Sequence, residues 1–226
     1  MKDELIVELR PKSGVSEAIK TIRTNLQFSQ VDKPVKSLLV TSSVSGEGKS
    51  FICANLAVAF AQSGMKVLLV DCDLRCGRQH QIFNLTNEKG LSGLLLEDVS
   101  KKANSYIQKT DVDNLSVLTM GIVPPNPTEL LSSEKNKKLF SVLENKFDLV
   151  IYDGIPMLNL TDSLIMAKMV DKIVVVCAYK ETPMELLKNT IKSLSNFKDK
   201  LAGVVINKMP NKNSKYNNYY HRYYTE

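Results

Sequence analysis

Apolar runs punctuate this chain at 38–40, 67–70, 149–151, 173–177 and 202–206. Each is free of charge, the pattern of a strand covered on both faces. Between the first two, the stretch 50–63 carries Ile52, Leu56, Ala59 and Phe60 at helical spacing, and Gly64 supplies a C-cap. Strand, loop, helix and strand make a βαβ unit. The repetition predicts an α/β protein with a doubly wound, mostly parallel sheet and helices on both faces. Ligands on such sheets bind at the carboxyl ends of the strands.

A preceding helix is predicted over 13–29, with Ser16 as one candidate cap. Pro124-Pro125-Asn126-Pro127 forms a stiff loop that leads into a helix starting around Thr128 or Glu129. From Asn211 onward the sequence turns Asn-, Lys- and Tyr-rich without periodicity. One domain over 1–210 and a mobile tail over 211–226 are expected.

Composition narrows the class. Of 226 residues 43% are hydrophobic, enough for a large core, yet no stretch nears the roughly 20 apolar residues of a membrane span. The greasiest run, 52–61, is interrupted by Asn55. The amino terminus lacks the basic start and apolar core of a secretion signal, which predicts a cytoplasmic protein. Cysteines 53, 72, 76 and 177 are too sparse for a disulfide framework. Cys72, Cys76 and His80 have a zinc-like spacing but no fourth ligand nearby. The net charge of +6 is dispersed, with only a loose group at Lys135, Lys137 and Lys138, so no nucleic-acid partner is expected.

The first strand leads into Ser43-Val44-Ser45-Gly46-Glu47-Gly48-Lys49-Ser50, which reads as a phosphate-binding loop opening a helix. Gly46 and Gly48 let successive N–H groups turn inward, and the helix dipole adds positive potential there. Lys49 would reach the β- and γ-phosphates and Ser50 would hold Mg²⁺. The usual pattern has glycine where this chain has Ser43.

Asp71 and Asp73 follow the second run, two residues apart; if extended, both carboxylates share one face. Such a pair divides labour between Mg²⁺ and an incoming hydroxyl, or else caps a helix. Asp153 ends a third run and fits the acidic strand terminus that assists Mg²⁺ in phosphate-loop enzymes.

Together these residues resemble the bacterial tyrosine kinases of capsule and exopolysaccharide synthesis, relatives of the septum-site and plasmid-partition ATPases. The likeness spans nearly the whole chain: the loop Ser45 to Ser50, the acidic strand with Asp71, Asp73 and Arg75, the segment Pro124 to Leu131, Asp153, and a tyrosine-rich carboxy terminus. It implies that Ser45, Gly46, Glu47, Gly48, Lys49, Ser50 and Phe51 cradle ATP. Ser50, Asp71 and Asp153 would hold Mg²⁺; Asp71, aided by Asp73, would be the base toward a tyrosine hydroxyl. Asn207 and Lys208 would flank the adenine, and Pro210 stands where guanine readers carry Asp, which favours ATP. Partition-type relatives carry a second lysine where this chain has Val44, which argues against their sandwich dimer. Gly154-Ile155-Pro156 and Gly77 depart from the family's frequent sequences at those places.

Tyr216, Tyr219, Tyr220, Tyr223 and Tyr224 are five of the chain's eight tyrosines. As phosphate acceptors they would reverse the sign of the chain's charge; as plain aromatics they would dock the tail. Glu17, Lys20 and Arg23 lie near one helix face, either solvated or, by the resemblance, in contact with a neighbour in a homo-oligomeric ring. The resemblance implies an ATP-dependent protein-tyrosine kinase that phosphorylates its own tail between subunits. It further implies a separate membrane-bound activator that recruits it to the inner face of the membrane, and polysaccharide biosynthesis proteins as further substrates. An ATPase switch of the MinD and ParA kind, or a nucleotide-sensing scaffold modified by another kinase, are the competing readings.

Overall fold

The carboxyl ends of three adjacent strands converge on one edge of the sheet, and the path of the chain explains why. The structure, a computed structural model, describes residues 2–28, 34–157 and 161–210. The chain opens with α1 (Ile6–Leu9) and α2 (Gly14–Phe28), then runs through β1 (Ser37–Ser42), α3 (Lys49–Gln62) and β2 (Val67–Asp71). The short helices α4 (Gln79–Ile82), α5 (Leu91–Leu94) and α6 (Val99–Lys102) precede β3 (Gln108–Lys109) and β4 (Leu115–Leu118). Next come α7 (Pro127–Ser132), α8 (Glu134–Glu144), β5 (Leu149–Asp153), α9 (Thr161–Met169), β6 (Lys172–Ala178), α10 (Met184–Ser193) and β7 (Leu201–Asn207).

Among the described residues seven strands lie in the order β3-β4-β2-β5-β1-β6-β7. All pairings are parallel except that of the edge strand β3 with β4. This is the doubly wound architecture that the apolar runs predict. Their side chains alternate between two cores: Leu38, Val40 and Leu69 face α1–α3, while Leu39, Leu68 and Tyr152 face the helices of the opposite layer. There Tyr152 stacks on Phe140 with centroids 4.0 Å apart. Each fully buried Leu or Ile in these layers contributes roughly 1.5–3 kcal/mol relative to exposure.

Helix α3 is apolar on more sides than the stripe read from sequence. Cys53, Ala54, Ala57, Val58 and Ala61 are buried as well, because α1 and α2 cover the face turned away from the sheet. Asn55, which interrupts that apolar run, is fully buried and bonded rather than misplaced. Its Oδ1 accepts from the Val7 N–H at 3.0 Å, and its Nδ2 donates to the carbonyls of Glu4 and Phe51, each at 2.9 Å. A polar side chain inside the core thus clasps the first turn of the chain to the phosphate-loop helix.

Ser16 does not cap α2. Ser13 does, accepting the Ser16 N–H at 3.2 Å, while the Ser16 hydroxyl is buried and donates to the Arg10 carbonyl at 2.6 Å. Pro127 itself is the first residue of α7, slightly earlier than expected, as a ring with φ preset and no N–H allows.

Candidate active site

Register sets the site. Across the sheet Val40 of β1 and Asp71 of β2 both pair with Asp153 of β5, so the phosphate loop and two acids leave adjacent strands at one level. Beyond β1 the loop turns through Gly46 (φ 85°) and Gly48 (φ 90°), left-handed conformations that favour glycine. A Cβ on Gly48 would crowd the Asn207 amide, and the positive φ strains any side chain placed there. Gly48 is also the N-cap of α3, and no side-chain cap bond is made there, which leaves the helix N–H groups directed at the loop's concavity.

The loop is braced from within. Glu47 is buried, its Oε2 accepts the Val44 N–H at 2.9 Å, and its Oε1 accepts from the Thr182 hydroxyl. Thr182 in turn accepts the Ala178 N–H at 2.8 Å, and Asn207 Nδ2 donates to the Glu47 carbonyl at 3.0 Å. The Glu47 side chain is therefore spent on the loop itself, and only its backbone is left to meet a phosphate. Ser43, in the place of the usual glycine, is buried and within 3.0 Å of the Thr190 hydroxyl. Phe51 packs its ring on the core layer under α3, so it too has only its backbone to offer. Ser45 and Gly46 are exposed.

Lys49 Nζ lies 3.1 Å from Asp153 Oδ1 and 3.9 Å from Asp73 Oδ2. Burial works against its charge, but Asp153, Cys53 and Asp73 outweigh that and hold the ammonium above the usual lysine range. Asp71 and Asp153 are fully buried. Burial first, then the neighbouring Asp153, pushes the Asp71 carboxyl well up, against the opposing bond from the Gln79 N–H.

Asp73 departs from the extended geometry. β2 ends at Asp71, and Asp73 Oδ1 accepts the N–H groups of Arg75 at 3.3 Å and Cys76 at 2.9 Å, so one oxygen caps the turn while the other faces Lys49. Gly77 lies against Asp71: a Cβ there would stand 2.4 Å from Oδ1 and 2.6 Å from Oδ2. Gly154 likewise packs on β1, where a Cβ would meet Leu39 Cδ1 at 2.6 Å. Both departures from the family pattern thus have packing reasons at these positions.

Sequence reasoning missed Gln79, which is fully buried and touches both acids. A glutamine inside a polar stretch has no spacing signature, and only the folded juxtaposition reveals it. Lys208, exposed and in the left-handed region (φ 56°), pairs with Glu181 at 2.5 Å, while Asn207 faces the loop. Glu17 and Lys20 pair with each other at 2.8 Å, and Arg23 Nη1 donates to the Ala59 carbonyl of α3 at 2.9 Å, so these three have bonds within the chain. Tyr216, Tyr219, Tyr220, Tyr223 and Tyr224 lie outside the described residues.

Among the described residues no three Cys, His, Asp or Glu side chains form a ready metal cage. Cys72 is buried in the core and Cys76 is exposed. A magnesium ion asks for less: one or two carboxylates, with phosphate oxygens and waters completing its shell. Asp71, Asp153 and the Ser50 hydroxyl are oxygen donors of the kind that demand calls for, with Lys49 paired to Asp153 beside them. The buried, unpartnered Gln79 Oε1 fits a hydrated ion as well. An apolar cavity of about 190 Å³ lined by Leu26, Pro34, Leu38, Phe60, Met65 and Leu149 lies at the far, amino-terminal end of β1, away from this chemistry.

No helix among the described residues is long and apolar enough to cross a membrane. A family model described as an AAA domain matches residues 35–206. The tyrosine-protein kinase YwqD of Bacillus subtilis is 41% identical over 97% of this chain and 92% of its own length. The tyrosine-protein kinase etk of Escherichia coli K12 is 32% identical over 87% of this chain but only 27% of its own. The crystal structure of the chimerical protein CapA2B2 superposes with a TM-score of 0.86 at 40% identity, covering 92% of this chain and 91% of that one.

Proposed function

Because this chain belongs to the bacterial tyrosine-protein kinases, we propose that it transfers the γ-phosphoryl group of Mg·ATP to tyrosine, its own carboxy-terminal tyrosines included. The observation that carries the reading is Lys49, buried at the mouth of the phosphate loop and held by Asp153 and Asp73. A lysine kept charged in that place supplies positive potential to β- and γ-phosphate oxygens. Residues 1–210 would form the kinase domain and 211–226 its tail.

The loop N–H groups and the start of α3 would bind and orient the triphosphate, and Asn207 and Lys208 would flank the adenine. Ser50, Asp71 and Asp153 would hold Mg²⁺, which when bound would neutralise charge on the phosphates. Asp71 would act as the base: its carboxylate takes the phenolic proton as the tyrosine oxygen bonds to phosphorus, the bond to the β-phosphate oxygen breaks and ADP leaves. Asp73 keeps Lys49 beside the acceptor path.

The acceptors in this reading are Tyr216, Tyr219, Tyr220, Tyr223 and Tyr224, presented by a neighbouring subunit of a ring in which Glu17, Lys20 and Arg23 take part. A separate membrane-bound activator would recruit the kinase to the inner face of the membrane. Control of capsular or extracellular polysaccharide synthesis and export, with biosynthetic proteins as further substrates, completes the proposal.

The test is mass spectrometry of the purified chain after Mg·ATP treatment, with and without the cytosolic segment of a candidate activator. A Lys49→Met chain mixed with an active chain lacking 211–226 should acquire phosphotyrosine on its tail. An active mixture that leaves that tail unmodified would exclude transfer between subunits. Absence of phosphotyrosine under every activated condition would leave the switch or scaffold readings. A native mass unchanged by Glu17→Ala with Arg23→Ala would remove that helix face from the ring.

A further inference from the structure

Gln79 is a fully buried glutamine at the first position of α4, and its amide is committed on one side only. Its backbone N–H donates to Asp71 Oδ2 at 2.9 Å. Its side-chain Nε2 donates to Asp153 Oδ2 at 2.8 Å and to the Ser50 carbonyl at 3.1 Å. Those two acceptors fix which way the amide points, because the flipped amide would set its oxygen against a carboxylate and a carbonyl. The remaining atom, Oε1, is buried and accepts no bond from the protein. An acceptor left so is costly, and what it lacks is a donor.

The protein around it has little to give. Asp71, Asp153 and the Ser50 carbonyl are acceptors, and the Lys49 ammonium is engaged by Asp153 Oδ1 and Asp73. Water on a divalent cation is a strong donor, and Mg²⁺ keeps several of its waters when only one or two carboxylates bind it. Carboxylates that ligate a metal are themselves held in place by hydrogen bonds from outer groups.

We propose that Gln79 is a positioning residue of the metal centre: it holds Asp71 and Asp153 in place, and its Oε1 accepts a hydrogen bond from a water of the magnesium ion. The inference deepens the kinase reading and rests on it. It gives Gln79 no contact with the transferred phosphoryl group. Its effect is therefore on how tightly the site takes magnesium, and only through that on turnover.

The experiment compares the full chain with Gln79→Met, which keeps the volume and loses both polar atoms, and Gln79→Ala, which leaves room for waters to bond the acids. Binding of ADP is titrated first in EDTA, then with Mg²⁺ varied at saturating ADP, with thermal melting as the check on folding. Outer partners of metal ligands typically carry 10–100-fold in metal affinity. Gln79→Met is expected to weaken Mg²⁺ binding at least about tenfold while metal-free ADP affinity stays within about twofold. Gln79→Ala should fall in between. A folded variant that takes Mg²⁺ as tightly as the parent overturns the proposal, and so does equal weakening with and without metal, which would mark a merely structural role. If the parent itself shows no dependence of ADP binding on Mg²⁺, the kinase reading of the site fails and this inference falls with it.

Discussion

Lys49 and Asp153, 104 positions apart in sequence, meet at 3.1 Å where α3 begins and β5 ends. Asp153 is fully buried, so a change to one partner strands the other. Lys49→Met should lower unfolding stability by about 3 kcal/mol, the scale of breaking one side of a buried pair. Lys49→Met with Asp153→Asn should regain a large share of it. Urea midpoints at constant m-value decide the matter, and equal losses in single and double variants would count against the pairing.

Gly77→Ala should damage catalysis more than folding. The added Cβ would stand 2.4 Å from Asp71 Oδ1, and that carboxylate is held by the Gln79 and Asp73 N–H groups. Something must shift, and the acid is what lies in the way. Turnover is expected to drop at least about tenfold while metal-free ADP binding is kept, the profile of a displaced catalytic group.

Thr182→Val keeps shape and removes the hydroxyl that links Glu47 to the Ala178 N–H. Both groups lose a partner, at a cost of about 2 kcal/mol. Because Glu47 also bonds the Val44 N–H, the phosphate loop should loosen and ADP should bind more weakly. A calorimetric titration showing full affinity would mean the loop keeps its shape without this brace.

Glu144 ends α8, and burial pushes its carboxyl up, with Asp171 adding to the shift while Ser37 and Lys36 oppose it. A carboxyl raised on folding makes the native state bind more protons than the unfolded state. Stability therefore falls as pH rises from the ordinary glutamate value of about 4.3 toward the raised one. Glu144→Gln should thus be more stable than the parent at neutral pH and lose that advantage below about pH 4. The gain also fits an acid removed from a helix carboxyl end. Melting curves across pH would show the two proteins converging, and a constant gap would refute the assignment.

How much of this was legible beforehand depended on whether a residue's role was written locally. Strands β1, β2, β5, β6 and β7 announced themselves, since charge-free runs have few other uses in a chain of this composition. Strand β3 is the dipeptide Gln108-Lys109, and in β4 Ser116 breaks a run of only four residues, so neither carries a pattern that periodicity can find. The phosphate loop, Asp71 and Asp153 were readable because glycine spacing and strand-end acids are local. Gln79 and Thr182 were not: one bridges acids from two strands, the other braces a loop 135 residues away, and neither partnership exists until the sheet has formed. Ser16 misled because a serine near a helix start suits a cap as well as a core, and Ser13 took the cap.

The buried clasp of Asn55 on Glu4 and Val7 bears on how the protein can be handled. Trimming the chain ahead of residue 10 would strip Leu5 and Val7 from the outer wall of α3 and leave an amide in greasy surroundings without partners. Purification handles are therefore better spaced by a flexible linker than joined flush to the first turn. A protease cut there should register as looser nucleotide binding, because the helix released by the cut is the one that starts at Lys49.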